Sequence, residues 1–229
     1  MIYRSNLTAP DLQQFFHHLH SRVKPHSQGH DILSDFADKP ADDPTFAEFK
    51  NCGFFTHDEA AILYNIARMV GGYWLDIGGL TGWTAAHLAA AGCEVMSVDP
   101  AWEKDWVLSR ARENLVESGA LGKMTLWACR SNSFFDDNVC LFDGIVIDGD
   151  HEAPGPLLDA IRASHTLVRN GVIVFHDLIY GGPQEGLRYL TEHGWNSKVY
   201  STPHKVGVCW KGSFAPPEHV PDPNLWKEP

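Results

Sequence analysis

With 229 residues, the chain is long enough for one large domain or two small ones, and an apolar fraction of 44% with 21% charged residues argues against wholesale disorder. Its formal net charge of -11, with no offsetting run of lysine or arginine, would repel a phosphate backbone, so nucleic acid is not expected as a substrate. No apolar run of membrane-spanning or signal-peptide type is visible, and the five cysteines are scattered without a CxxC pair, so we expect a cytoplasmic protein away from membranes.

The first 55 residues are the least regular part of the sequence. Residues 11–23 can form a helix, whereas the Pro- and Asp-rich residues 38–44 must form a loop. We predict that residues 1–55 are an extension or lid, which covers a substrate site or makes a subunit contact in a homo-oligomer. The aromatic side chains behind this expectation are Phe15, Phe16 and Phe36.

From residue 56 onward, helical patterns alternate with short apolar segments. Thr56 and Glu59 fit the two positions of a capping box, which predicts a helix over 57–70 that Gly71-Gly72 ends. Further helices are predicted over 84–91, 106–117, 156–168 and 184–192, and strands over 73–77, 94–98, 124–128, 144–147 and 172–175, with a final hairpin of 196–200 and 206–210.

This alternation predicts a Rossmann-like, doubly wound α/β fold with a mostly parallel sheet and a C-terminal antiparallel hairpin. The main domain is assigned to residues 56–212, and residues 213–229 are expected to form a proline-rich tail on the surface. In such sheets, ligands bind beyond the carboxyl ends of the strands, near the point where strand order reverses.

The strongest chemical signal is Trp74-Leu75-Asp76-Ile77-Gly78-Gly79-Leu80-Thr81-Gly82-Trp83-Thr84, a strand followed by a glycine-rich turn and a helix start. Glycines let the backbone approach a ligand closely, and the helix start offers free N–H groups. The third glycine of a dinucleotide-binding G-x-G-x-x-G would fall on Trp83, which weakens that alternative. Asp76 would repel a pyrophosphate and instead suits a ligand with a cationic end.

These residues resemble the first motif of class I S-adenosylmethionine-dependent methyltransferases, in which an acid precedes a glycine-rich turn. The resemblance continues in the family's order through Ser97-Val98-Asp99-Pro100, residues 142–151 and residues 171–177, and covers about Thr56 to Trp210. Asp-Gly-Asp-His followed by Phe-His-Asp is similar to the small-molecule O-methyltransferase branch that includes cephalosporin-biosynthesis and macrolide-sugar enzymes. Leu80 stands where the class commonly has glycine, a departure that this branch often shares.

The resemblance implies S-adenosylmethionine as cofactor and a hydroxyl of a small molecule as methyl acceptor. Asp99 would hold the ribose hydroxyls, since a carboxylate can accept two hydrogen bonds from a diol. Trp102 would pack on adenine or else shield the core, and Ser131 would contact adenine or else cap a turn. The residues implied in cofactor binding are Asp76, Gly78, Gly79, Thr81, Gly82, Thr84, Asp99, Trp102, Ser131 and Asp148.

Two mechanisms remain open for activating an acceptor hydroxyl. His151 follows the fourth strand and is the first candidate for a general base, with Asp148 beside it. Alternatively, Asp148, His176 and Asp177 hold a divalent ion, Mg2+ or Mn2+; His176 departs from the acid or amide of metal-dependent relatives. Without a metal, Asp148 would position the substrate or the cofactor amine. A protein of the same fold with a different reaction, or with a non-catalytic role, is the alternative function.

Overall fold

The structure, a computed structural model, describes residues 6–12, 15, 18–19, 52–53, 56–138 and 140–220. The loop predicted over 38–44 and most of the helix predicted over 11–23 lie outside these residues. Within that predicted helix, His18–Leu19 forms a short strand, β1, which pairs in parallel with β2, Cys52–Gly53. The helix prediction is therefore wrong at these two positions, where a segment distant in sequence supplies the backbone hydrogen bonds.

Helices and strands alternate from residue 57 onward, as the hydrophobic pattern predicts. The helices are α1 (His57–Val70), α2 (Trp83–Ala90), α3 (Asp105–Glu117), α4 (Ser131–Asp137), α5 (Gly155–Thr166) and α6 (Gly181–Glu192). The strands are β3 (Tyr73–Ile77), β4 (Glu94–Val98), β5 (Met124–Trp127), β6 (Phe142–Ile147), β7 (Leu167–Phe175), β8 (Asn196–Val199) and β9 (Gly207–Trp210). None of the helices in the described ranges has the length and apolarity that crossing a membrane requires.

Two local differences from the predicted elements have physical reasons. Helix α4 is not among the predicted elements, because a helix of 7 residues is too short to show a helical period. The helix predicted over 156–168 ends at Thr166, and β7 begins at Leu167 and runs through Asn170-Gly171. An irregularity in the pairing of β6 with β7, between Phe142 and Gly144, accommodates these turn-forming residues inside a strand.

Strands β3 to β9 form one seven-stranded sheet in the order β5-β4-β3-β6-β7-β9-β8. The pairings from β5 to β7 are parallel, and β9 runs antiparallel to both β7 and β8, which confirms the predicted fold class. Alternate residues of β3 point to opposite faces, so that Trp74 belongs to one hydrophobic core and Leu75 to the other. The strand order reverses between β3 and β6, which places the expected ligand crevice at their carboxyl ends.

The two ends of the described chain meet beside α1. The Asn6 side-chain amide donates to the carbonyl oxygen of Glu218 (2.8 Å), and the backbone N–H of Val220 donates to Asn6 Oδ1 (2.7 Å). His219 Nε2 lies 2.7 Å from Asp58 Oδ1, and both side chains are buried. Residues 213–220, the described part of the predicted tail, contain no helix or strand and are anchored to the domain by these contacts.

Candidate functional site

The carboxyl ends of four neighbouring parallel strands carry the polar residues that the motifs predict. Asp76 lies near the end of β3, Asp99 follows β4, Asp148 follows β6, and His176 with Asp177 follows β7. Because β4, β3, β6 and β7 are adjacent in that order, these side chains converge on one edge of the sheet. The edge is the switch point at which this class of sheet binds ligands.

The glycine-rich turn after β3 packs tightly against the neighbouring loops. The backbone N–H of Gly78 donates to the carbonyl oxygen of Val98 (3.0 Å), and the N–H of Leu80 donates to Asp99 Oδ2 (2.7 Å). Gly78 has a φ of 98°, and a side chain on it would meet the backbone of Asp148. Glycine at this position therefore satisfies both a left-handed backbone conformation and a close approach between the β3 and β6 loops.

A substitution at Gly79 tests this packing, because a Cβ there would lie 2.5 Å from the Trp102 ring and would also meet Ser97 Oγ. We expect Gly79→Ala to lower the free energy of unfolding by roughly 1–3 kcal/mol, the usual cost of overpacking. Gly122→Ala is the matched control, since a Cβ there meets nothing within 4 Å. Denaturant unfolding of the two variants measures the difference; equal stabilities would show that the turn tolerates the added methyl group.

Asp76 is completely buried and only half satisfied. Its Oδ2 accepts a hydrogen bond from Ser97 Oγ (2.6 Å), whereas Oδ1 has no hydrogen-bond partner among the described residues. Burial, together with the nearby Asp148 and Asp99 carboxylates, raises the pKa of Asp76 to about 7. A buried carboxylate oxygen without a donor is costly, so this atom marks the place where a cationic or hydrogen-bond-donating ligand group would be stabilised.

Asp99 and Trp102 hold the turn in place. Asp99 Oδ1 accepts from the backbone N–H of Ala101 (2.7 Å), while its Oδ2 accepts from the backbone N–H of Leu80 (2.7 Å). The Trp102 indole N–H donates to the carbonyl oxygen of Leu80 (2.7 Å), and the side chain is 1% exposed. This geometry favours the core-shielding alternative for Trp102 over stacking on adenine.

The remaining residues implied in cofactor binding lie around the same edge. Thr81 and Thr84 are buried at the start of α2, and Gly82, with a φ of 89°, is its N-cap. Ser131 is the first residue of α4, and its hydroxyl donates to Asp159 Oδ1 (2.6 Å), so that this hydroxyl is engaged with α5. Their part in binding a ligand stays a prediction.

His151 lies against the carboxylates that follow β6 and β7. Its Nε2 is 3.1 Å from Asp177 Oδ2 and 3.8 Å from Asp148 Oδ1. One potential ligand atom from each of Asp148, His151 and Asp177 lies within 4.8 Å of the others, a spacing that could hold a metal ion. The structure thus brings the predicted base and two of the predicted metal ligands into a single cluster.

The carboxylates control the protonation of His151. Burial alone would lower the pKa of His151, but Asp148 and Asp177 raise it to about 9. Burial would likewise raise the pKa of Asp177, but His176 and His151 lower it well below its usual range. At neutral pH, His151 therefore carries a proton as long as both carboxylates are uncompensated, and a protonated imidazole cannot act as a base.

His176 is completely buried between two sets of carboxylates. Its Nδ1 lies 3.0 Å from Asp148 Oδ1 and 3.3 Å from Asp177 Oδ2, while its Nε2 lies 3.3 Å from Glu59 Oε2. His204 Nδ1 approaches the same Glu59 oxygen at 3.2 Å. Burial would lower the pKa of His176, but the carboxylates raise it well above its usual value. His176 therefore joins the predicted cluster at β6 to a second one around Glu59.

From the sequence, Glu59 is predicted only to cap a helix, and His204 has no predicted role. Glu59 does form the capping box of α1, since its Oε2 accepts the backbone N–H of Thr56 (2.8 Å). Its further contacts join positions 117 and 145 residues apart, which no local motif can indicate. The sequence gives only a weak signal that Glu59 is buried. Glu59 begins an otherwise apolar helix face, whereas capping acids are ordinarily exposed.

Comparisons with known proteins agree with this geometry. A family described as a methyltransferase domain matches residues 75–178, from β3 through the cluster after β7. No curated protein matches the chain significantly in sequence. Residues 75–178 therefore match a methyltransferase domain, the class of protein that the motifs predict.

Solved structures with the same fold include three methyltransferases. The O-methyltransferase TomG of Streptomyces achromogenes, in complex with S-adenosylmethionine, is 15% identical with a TM-score of 0.59, over 80% of this chain and 90% of that one. A methyltransferase of Geobacter sulfurreducens is 15% identical with a TM-score of 0.60, over 81% and 98%. An O-methyltransferase of Bacillus cereus, in complex with S-adenosylhomocysteine, is 17% identical with a TM-score of 0.54, over 78% and 87%.

Proposed function

We propose that this chain is an S-adenosylmethionine-dependent methyltransferase that methylates a hydroxyl group of a small molecule. The observation that carries the proposal is the half-satisfied Asp76 carboxylate beneath a glycine-rich turn, at the switch point of a methyltransferase-domain sheet. The O-methyltransferases of Streptomyces achromogenes and Bacillus cereus, whose fold this chain shares, support an oxygen acceptor and this cofactor.

The residues present fit S-adenosylmethionine. Asp76 Oδ1 can accept from the ammonium group of the ligand, and the Asp99 carboxylate, which follows β4 at the same edge of the sheet, is the predicted partner of the ribose hydroxyls. When bound, the cofactor supplies a methyl group on a sulfonium that is itself the leaving group. The chain's own task is to hold the two reactants in line and to lower the barrier to losing the hydroxyl proton.

The cluster of Asp148, His151 and Asp177 fits that second task. Two carboxylates with one imidazole suit a divalent ion such as Mn2+ better than Mg2+, which prefers oxygen ligands alone. An ion held there would lower the pKa of the acceptor hydroxyl and orient its oxygen. We place His151 in this set instead of the predicted His176, because His151 is 30% exposed and can face an acceptor, whereas His176 is fully buried.

The proposal includes the cellular location of the protein, the role of residues 1–55 and the oligomeric state. The four cysteines whose side chains the structure describes are all free thiols, in line with a reducing, cytoplasmic location. Two further points stay predictions. One is that residues 1–55 form a lid over the acceptor site or a subunit contact, and the other is that the protein is a homo-oligomer.

Isothermal titration calorimetry tests the cofactor assignment. We expect the full-length protein at pH 8 to bind one S-adenosylhomocysteine per chain and to show no heat of binding with NAD. The reason is that Asp76 favours a cationic ligand end and disfavours a pyrophosphate. Binding of NAD without binding of S-adenosylhomocysteine or S-adenosylmethionine would refute the proposal.

A further inference from the structure

A second cluster of potential metal ligands lies next to the proposed active site. Glu59 comes from the first turn of α1, His176 follows β7, and His204 lies in the connection between β8 and β9. One ligand atom from each lies within 4.8 Å of the other two. Glu59 and His176 are fully buried, and the His204 side chain is 18% exposed.

The distances in this cluster match the spacing of metal ligands and are long for charge-assisted hydrogen bonds. Glu59 Oε2 lies 3.3 Å from His176 Nε2 and 3.2 Å from His204 Nδ1. A charge-assisted hydrogen bond between an imidazolium and a carboxylate is shorter, about 2.7–2.9 Å. Two ligands of a tetrahedral zinc ion, each about 2.0–2.1 Å from the metal, are about 3.3 Å apart.

The surroundings orient these ligands as an outer shell does around a bound metal. His176 Nδ1 lies 3.0 Å from Asp148 Oδ1, so that its other nitrogen, Nε2, is directed toward Glu59. A metal-bound histidine almost always donates its second ring N–H to such a carboxylate. Glu59 is held in turn, because its Oε1 accepts the backbone N–H of His204 (2.9 Å) and its Oε2 accepts that of Thr56 (2.8 Å).

We propose that Glu59, His176 and His204 bind one divalent transition-metal ion, with Zn2+ the best match. Two imidazoles and one carboxylate suit zinc and its neighbours in the transition series, whereas Mg2+ and Ca2+ prefer oxygen ligands. The ion joins the start of α1 and the β8–β9 connection to the end of β7. The site is distinct from the cluster of Asp148, His151 and Asp177, and it does not depend on the proposed function.

The test compares two histidine variants of the full-length protein. Metal-stripped protein is dialysed against Zn2+ at stepped free concentrations, and bound zinc is measured by elemental analysis. We expect His204→Ala to weaken tight zinc binding by more than tenfold, since even outer-shell partners contribute about that much. His193→Ala, which removes an exposed histidine just after α6 and outside both clusters, is the matched control and should retain it.

His204→Ala alters the connection between β8 and β9, so Glu59→Gln and X-ray absorption test the zinc site without that change. Glutamine keeps the oxygen that accepts the Thr56 N–H, so α1 stays capped while the ligand charge is lost; we expect the same loss of zinc. The absorption spectrum of the zinc-loaded wild-type protein should show two imidazole ligands. Absence of zinc binding by the wild-type protein, or a loss of zinc in His193→Ala as large as that in His204→Ala, would overturn the proposal.

Discussion

Asp177→Asn is expected to reduce methyl transfer by about 10²–10⁴-fold while leaving S-adenosylhomocysteine affinity nearly unchanged, the usual range for losing activation of a hydroxyl. Asp177 Oδ2 faces His151 Nε2 at 3.1 Å, and the change to asparagine removes the charge that attracts a cation. Asparagine also tolerates the φ of 54° at this position, so the backbone need not move. The measurement is turnover with an acceptor found by screening hydroxyl-bearing small molecules.

Asp150→Asn is the matched control for this change. It makes the same substitution in the loop after β6, but Asp150 is exposed and its Oδ1 only accepts the backbone N–H of Glu152 (2.9 Å). A chelator should silence the wild-type enzyme, and Mn2+ should restore it. Full activity in the chelator, together with a large loss in His151→Ala, would instead establish a base without a metal. Crystals soaked in Mn2+ test the site without any acceptor, by anomalous density between Asp148 and Asp177.

Asp76→Asn is expected to weaken S-adenosylhomocysteine binding by about 10–150-fold, the equivalent of roughly 1.5–3 kcal/mol for a hydrogen bond to a charged group. The side chain keeps its shape and its bond from Ser97, so the loss isolates the carboxylate charge. The control ligand is 5′-methylthioadenosine, which lacks the amino-acid portion and should bind the wild-type and variant proteins alike. Equal losses for both ligands would mean that the variant damages the whole crevice.

The same residue predicts a pH dependence of binding. Burial raises the pKa of Asp76 to about 7, so that below neutral pH most free protein carries a neutral acid at this position. An ammonium group favours the ionised form, and binding must then release a proton. We expect wild-type affinity to rise by about tenfold from pH 6 to pH 8, and the affinity of Asp76→Asn to stay flat over this range. Calorimetric titrations at the two pH values measure both slopes.

Local patterns predicted most of the sheet and one side of the candidate site. The alternation of short apolar strands with helices predicts the fold class. The turn from Asp76 to Gly82 predicts which edge of the sheet binds the ligand. The acids at strand ends were likewise predictable, because parallel strands bring their carboxyl ends together. Such features depend on residues close in sequence.

Contacts between distant segments could not be predicted in this way. The cluster of Glu59 with His176 and His204 needs α1 to lie against the end of β7, and nothing in the capping motif around Glu59 indicates that packing. The two backbone hydrogen bonds that Asp99 accepts also depend on the folded turn, as does the burial of Trp102. The strand at His18–Leu19 arises from a partner more than thirty positions away, against the local helical pattern.

The contact between His219 and Asp58 has a consequence for how the protein is made. These residues are 161 positions apart, and Asn6 is 212 positions from its partner Glu218. During synthesis, α1 therefore emerges from the ribosome long before the imidazole that meets its buried acid. The sheet can assemble strand by strand, but Asp58 at the start of α1 acquires this partner only after His219 has been translated.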